Sequence, residues 1–245
     1  FAGIDHIAAQ AEADAARFRE LGMPAERVSV TGSIKFDMRI PASLEERVEV
    51  LRRDWGGRPV WVAGSTHEGE DELVLFAHRQ VLERFPDALL ILVPRHPERF
   101  ERVGGLCKRE RLRMARRSRS GEYDGTTQVY LGDTMGELPV MLGSADVAFI
   151  GGSLVPTGGH NMLEAAAQGV AVCFGPHVFN FATISQMLID EGAAVQVESE
   201  SALAGQVVAW FEDASARAEV GENGRRVVAQ NRGALQRLID LMPLR

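Results

Sequence analysis

The stretch from Phe149 to Ala166 reads FIGGSLVPTGGHNMLEAA, and the rest of the chain is organised around it. An apolar, β-prone run (Val147, Ala148, Phe149, Ile150) enters a loop with Gly151, Gly152, Gly158 and Gly159. A run of helix formers then starts near His160 and Asn161. Strand, glycine loop and helix start together make a preformed anion site. Glycine lets the backbone approach a ligand closely, and the first turn of a helix offers free N–H groups and a positive dipole end. Glu164 follows Asn161 by three residues, so both side chains share one face of the first turn. A carboxylate there can accept two hydrogen bonds from a ribose diol while amides and Asn161 hold a phosphate or base. A capped helix, with Asn161 as N-cap and Glu164 as its N3 partner, accounts for the same residues equally well. The flanking sequence has to decide.

Working outward, strand-like and helix-like segments alternate with short connections from Pro59 onward. Pro59 to Ala63 and Ala88 to Val93 are apolar throughout, as strands covered on both faces should be. Glu68 to Phe85 carries Leu73, Phe76, Ala77 and Val81 at helical spacing. Further strands are expected at Leu112 to Ala115, Gln128 to Leu131, Val147 to Ile150, Val170 to Phe174 and Ala193 to Val197. Helices are expected at Asn161 to Gln168, at Phe181 to Glu191, and from Ser201 to Leu241 with breaks near Asp213, Gly221 to Gly224 and Gly233. Arg116 to Thr126 reads as a mobile surface loop. The pattern predicts an α/β fold with a doubly wound, Rossmann-like parallel sheet, whose ligands sit at the carboxyl ends of the strands.

Before this alternation, Ile4 to Ala8, Gln10 to Leu21 and Arg27 to Thr31 form a short β-α-β piece, and Ser43 to Trp55 a charged amphipathic helix closed by Gly56-Gly57. The predicted organisation is therefore a remnant of a preceding domain (1–32), a connection (33–41) and a main domain with C-terminal helices (42–245). The chain begins with Phe1 rather than Met and enters structure at once, so it reads as part of a longer protein.

Composition excludes several classes. Net charge is −7, from 27 Lys and Arg against 34 Asp and Glu, which argues against nucleic acid as a partner. The charge is uneven, because Arg95 to Arg119 holds ten Lys or Arg and only three Glu. One face can therefore attract anions, and the Arg109 to Arg119 cluster within it is a solvated face or, in the sharper reading, a patch for an acidic lipid surface. No apolar run approaches the roughly 18 residues that span a bilayer. Cys107 and Cys173 lack metal-ligand spacing and read as free thiols in a reducing compartment. No metal cluster is predicted. The P-loop pattern is absent, and the glycine loop lacks G-x-G-x-x-G at strand-to-helix spacing.

Polar residues gather at the expected strand ends. Arg95 can clamp a phosphate in two places, or it can neutralise nearby Glu98 at the surface. His96, beside it, reads more simply as a turn residue satisfied by backbone. Ser65-x-x-Glu68 has the form of a capping box, which accounts for Ser65 and leaves Thr66 and His67 open. Gly136-Glu137-Leu138 opens a helix whose amides can meet a base or phosphate, or it is a plain helix start. Ser153, Gly159 and His177 complete the candidate rim, whereas Cys173, Phe179 and Phe181 are expected in the core.

Six motifs, taken together, resemble the donor half of bacterial 3-deoxy-D-manno-octulosonic acid (Kdo) transferases, GT-B glycosyltransferases of lipopolysaccharide synthesis. They are VTGSIKFD (Val30 to Asp37), VWVAGSTHEGE (Val60 to Glu70), LILVPRHPERF (Leu90 to Phe100), LGDTMGEL (Leu131 to Leu138), the opening stretch, and FGPHVFNF (Phe174 to Phe181). The resemblance runs over nearly the whole chain and implies the C-terminal domain of a GT-B enzyme. It implies nucleotide contacts from Pro94 and Arg95, from Gly136, Glu137 and Leu138, and from Asn161, Met162, Leu163 and Glu164. Where the family commonly has Pro after the Leu-Glu pair, this chain has Ala165.

The implied reaction is transfer of Kdo from CMP-Kdo, a substrate rather than a cofactor, to the lipid A precursor at the cytoplasmic face of the bacterial inner membrane. The family's acceptor site, membrane-associating segment and general-base glutamate lie in an N-terminal domain not present before Phe1. The fragment alone is therefore expected to bind CMP without transferring sugar. The alternatives are another GT-B enzyme, such as a UDP-sugar transferase or epimerase, and a nucleotide-binding module without catalysis.

Overall fold

The buried apolar runs do become strands, and helices fill most of the connections between them. A computed structural model describes residues 1, 3–119 and 121–242; Ala2, Ser120 and 243–245, which fall within the expected domain and loop spans, lie outside the described residues. In chain order the elements are β1 Ile7–Ala9, α1 Glu12–Glu20, β2 Val28–Val30, α2 Ser43–Trp55, β3 Val60–Thr66, α3 Glu70–Arg84, β4 Leu89–Pro94, α4 Phe100–Arg109, β5 Met114–Arg116 and β6 Val129–Leu131. There follow α5 Leu138–Gly143, β7 Val147–Ile150, α6 Leu163–Ala167, β8 Ala171–Phe174, α7 Ala182–Asp190, β9 Ala194–Gln196, α8 Glu200–Glu212, α9 Ala214–Asn231 and α10 Ala234–Asp240.

The chain divides into two compact units, Phe1–Ile40 together with the residues from Val228 on, and Pro41–Val227. In the first, β1 and β2 pair in parallel, and Ala9, Ala15, Met23 and Val28 form a small core with Ile7 and Phe18 packed against it. Helix α10 belongs to this unit rather than to the main domain. The Asp37 carboxylate accepts from the Gly233 and Leu235 amides at 2.5 and 2.6 Å, and Arg237 Nε donates to the Thr31 carbonyl at 2.9 Å. The amide of Leu235, then that of Gly233, holds the Asp37 carboxyl below its ordinary range. The Asp of the VTGSIKFD motif is thus the cap of the last helix.

The second unit carries a seven-stranded parallel sheet in the order β5-β6-β4-β3-β7-β8-β9. All residues of β3, β4, β7 and β8 are buried, as double-sided cover requires. From β3 the chain builds outward through β4, β5 and β6, then returns to the other side of β3 with β7. The topological switch point therefore lies between the tips of β3 and β7, where such sheets take their ligands. Beneath it, His78 is fully buried, with Trp61 Nε1 donating to its Nδ1 at 3.1 Å and its Nε2 at 2.9 Å from the Gln128 carbonyl. Burial lowers its pKa to about 3, so it is a neutral core histidine.

Several expected boundaries shift for physical reasons. Strand β3 runs on to Thr66 through an irregular register at Ser65, whose φ is +59°, and α3 starts at Glu70 rather than Glu68. The Ser65-x-x-Glu68 capping box does not form; Glu68 is exposed and pairs with Arg102. Helix α6 begins at Leu163, two residues after Asn161. The glycines at 221 and 224 do not break α9. A Cβ on Gly221 would lie 2.1 Å from the Gly169 carbonyl oxygen, and one on Gly224 would lie 3.2 Å from Ala166. These glycines let the helix approach the backbone after α6. Phe179, expected in the core, is 66% exposed, whereas Cys173 is buried.

In an isolated helix, Gly→Ala would stabilise by about 1 kcal/mol. Here the backbone contact should win, because overpacking typically costs about 1–3 kcal/mol. We expect Gly221→Ala to lower the urea midpoint of unfolding; a raised midpoint would show that the approach at Gly169 relaxes freely.

Candidate functional site

The glycine loop after β7 has no sheet or helix to satisfy its amides, and a buried backbone N–H must find a partner. That partner is Glu70, fully buried on the first turn of α3. Its Oε2 accepts from the amides of Gly152 (2.6 Å) and His67 (3.1 Å), and its Oε1 from those of Ser153 (3.0 Å) and Leu154 (2.9 Å). One carboxyl thus ties the β3 tip to the β7 loop. Ser153 continues the tie, since its Oγ donates to the Ile150 carbonyl and accepts from the Gly175 amide at 2.8 Å, while its own carbonyl accepts from His177 N at 2.9 Å. Ser153 is therefore a clamp inside the loop, and His177 contributes its backbone to the same clamp.

At the next tip, Thr66 is also turned inward. Its hydroxyl donates to Asp71 at 2.7 Å and its carbonyl accepts from Arg95 N at 3.0 Å and Arg99 Nη1 at 2.6 Å. Arg99 pairs with buried Asp71, whose carboxyl is pushed up by burial, with Thr66 and Arg99 opposing the shift. Ser65 is buried and Pro94 ends β4 inside the sheet. Arg95 is different: it is exposed, and among the described residues its guanidinium meets no carboxylate, Glu98 included. It stands beside His96, which packs edge-on against His67 at 5.5 Å.

His67 and His160 meet at the switch point. Their Nε2 atoms lie 2.6 Å apart, with ring centroids 4.9 Å apart and planes within 9°. Gly152, at φ +68°, leaves the space both rings need, since a Cβ there would lie 3.0 Å from His160 and 3.2 Å from His67. His160 was not among the residues singled out from the sequence; its position directly before Asn161, after two glycines, was the available signal.

Asn161 and Glu164 do share one face. Asn161 Nδ2 is 3.4 Å from Glu164 Oε1, and Asn161 Oδ1 accepts from the Leu163 amide at 3.2 Å. Burial raises the Glu164 pKa, with the hydrogen bond from Asn161 opposing the shift. Met162 and Leu163 are fully buried, so their side chains belong to the core. Gln168 joins the two helix starts by donating to the carbonyls of Pro139 and Glu164.

The Glu137 side chain is engaged within the protein. Arg117 grips its carboxylate through Nε and Nη2, both at 2.9 Å, with Arg47 at 2.7 Å and the Thr134 hydroxyl at 2.6 Å. Arg117 above all lowers its pKa to about 2. What this turn offers a ligand is the backbone of Gly136, at φ +76°, rather than the carboxylate. The basic run is similarly engaged: Arg113 donates to the Thr126 carbonyl, Arg116 pairs with Glu101 and Arg119 with Glu122. The loop expected to be mobile is pinned besides by Ser118 on Asp133 and by Asp124 on Thr126. Among the described residues no three His, Cys, Asp or Glu are placed to hold a metal ion.

Residues 1–38 match the family profile of 3-deoxy-D-manno-octulosonic-acid transferases (kdotransferases). The crystal structure of the C-terminal CMP-Kdo binding domain of WaaA from Acinetobacter baumannii aligns with 78% of this chain and all of that domain, at 34% identity and a TM-score of 0.73. The chain belongs to the Kdo transferase family. The 3-deoxy-D-manno-octulosonic acid transferase of Haemophilus influenzae is 45% identical over 98% of this chain, which spans 56% of that Kdo transferase's length. HepE from Anabaena, solved in complex with UDP and glucose, aligns with 96% of this chain and 62% of its own at 16% identity and a TM-score of 0.61, and shares the fold.

Glu70→Gln keeps the shape of the clamp but turns an NH2 group toward two amide donors. Each orphaned amide costs about 1–3 kcal/mol. At roughly 2–4 °C per kcal/mol for a domain of this size, we expect a fall of several degrees in Tm by calorimetry. An unchanged Tm would remove Glu70 as the clamp of the loop.

Proposed function

We infer that this chain is the donor-binding part of a glycosyltransferase that moves Kdo from CMP-Kdo to a lipid A precursor, at the cytoplasmic face of the bacterial inner membrane. The observation that carries the reading is the contrast at the rim. Arg99, Arg116 and Arg117 each have a carboxylate partner, while Arg95 at the β4 tip has none among the described residues. Two loops away, Glu164 is half-buried with acceptor capacity left over. A guanidinium without a partner suits a phosphate, and a carboxyl with free lone pairs suits a ribose diol. The 34% identity to a domain described as binding CMP-Kdo supports cytidine as the base.

In the proposed reaction an acceptor hydroxyl oxygen attacks the anomeric carbon of Kdo, the bond from that carbon to the phosphate oxygen breaks, and CMP leaves with the electron pair. Arg95 lies where it can stabilise charge growing on that phosphate. The base that takes the hydroxyl proton is assigned to a part of the enzyme outside this chain, as is contact with the membrane. No described helix is long and apolar enough to cross a membrane. The site needs no cofactor in this scheme.

Calorimetric titration with CMP and UDP tests the reading. Arg95→Ala and Glu164→Ala should each weaken CMP binding about ten- to hundredfold, as expected for contacts worth on the order of 1.5–3 kcal/mol, with unchanged Tm. Tighter binding of UDP than CMP would favour a UDP-sugar enzyme, and unchanged CMP affinity in either variant would remove that residue from the site.

A further inference from the structure

The histidine pair at the switch point has no role in the reading above. Two nitrogens 2.6 Å apart must have one proton between them, donated by one ring and accepted by the other. The neutral pair thus holds two ring protons, the shared one and one on the Nδ1 of the accepting ring. A third can be added without disturbing the bond, because it goes to the distant Nδ1 of the donating ring. The result is an imidazolium donating to an imidazole, a charge-assisted and stronger hydrogen bond. A fourth would set two N–H groups against each other, so the pair has room for one extra charge.

The charges around the pair are lopsided. Arg95, His96 and Arg99 approach from the β4 side, and nearby Glu70 has both oxygens committed to amides. Glu68 is engaged with Arg102, and Asp71 with Arg99 and Thr66. From the β8 side, His177 meets the loop through its backbone. Without an anion in the basin, burial first and these cations second hold both rings neutral, His160 at a pKa of about 4 and His67 below its ordinary value.

We propose that His67 and His160 form a proton-sharing anion receptor, which takes up one proton when the phosphate monoester of CMP, the product form of the nucleotide, binds beside Arg95. The proposal rests on the reading of the rim as a CMP site. A phosphate dianion offsets the charge of Arg95 and supplies the negative field that an imidazolium needs. No group in this step changes oxidation state and no covalent bond to carbon is made or broken; a proton moves from solvent to the ring. Binding raises the affinity of the pair for its proton, so by linkage acid favours binding. Affinity falls as pH rises through the window between the free and the bound pKa of the pair. Geometry supports a receptor rather than a packing contact. The two rings come from different loops, meet at the switch point of the sheet, and are given room by a glycine.

The test uses the whole chain with CMP, and cytidine as the ligand lacking phosphate. At neutral pH, long-range nitrogen–proton spectra of the histidine rings report their charge directly, separating a proton on histidine from one on CMP. Calorimetry in buffers of different ionisation enthalpy counts protons taken up. Adding CMP should convert one ring of the pair to imidazolium, with uptake of about one proton, and affinity should weaken up to about tenfold per pH unit above neutrality. Cytidine should cause no uptake. His67→Gln and His160→Gln should each lose the uptake and flatten the pH profile, while His96→Gln keeps both. The proposal is overturned if CMP binds with both rings remaining neutral, if cytidine gives the same uptake, or if the uptake follows His96. A flat CMP titration at every pH would overturn the nucleotide reading itself, and the receptor with it. The spectra of the unaltered chain decide the matter even should a variant fail to fold.

Discussion

A buried carboxyl surrounded by four backbone N–H groups is the constraint on which the rest of this site depends. Glu70 sits on the first turn of a helix, yet three of its four donors lie more than eighty positions later in the chain. A loop rich in glycine loses more conformational freedom on folding than any other, so something must hold it. Here the hold is a two-oxygen acceptor, which sets the path of the backbone from Gly151 to Leu154. The placement of His160, Asn161 and Glu164 follows from that path. Ser153 reinforces the clamp from the far side through Ile150 and Gly175.

The second organising fact is electrostatic. This region carries many arginines, and most are matched within the protein. Arg99 answers Asp71, Arg116 answers Glu101, and Arg117 answers Glu137. Ion pairs of this kind shape loops and leave little field for a ligand. Arg95 is set apart because its neighbours are histidines rather than carboxylates. The cation stands beside His67, His96 and His160, rings that can change their charge. In the polar run after Arg109, Arg116, Arg117 and Arg119 each answer a carboxylate, Glu101, Glu137 and Glu122.

Much of this architecture was legible in the residues. Apolar stretches such as Leu89 to Val93 can only be covered strands, and Ser43 to Trp55 begins and ends where its charges and the following glycines place it. The rim itself could be assembled from strand ends alone. Errors arose where a local rule was overruled by a distant partner. Ser65-x-x-Glu68 has every feature of a capping box, but β3 continues past Ser65 because β4 pairs with it as far as Thr66 and Pro94. Gly221 and Gly224 look like helix breakers and instead mark close approach to another segment. The Glu137 carboxylate is held by Arg117 and Arg47, from parts of the chain that spacing does not connect to it.

Hydrophobic periodicity and turn residues, which act over a few positions, determined from sequence alone that the chain is a parallel α/β sheet with polar residues gathered at the strand tips. The string of six motifs determined the family. Only the tertiary structure decided which polar groups face outward. That choice depends on partners such as Glu70 with Gly152, Arg117 with Glu137, and His67 with His160, each pair separated by twenty to more than ninety residues. Hydrogen bonds and charges are satisfied in space, and no local pattern records which distant group will satisfy them.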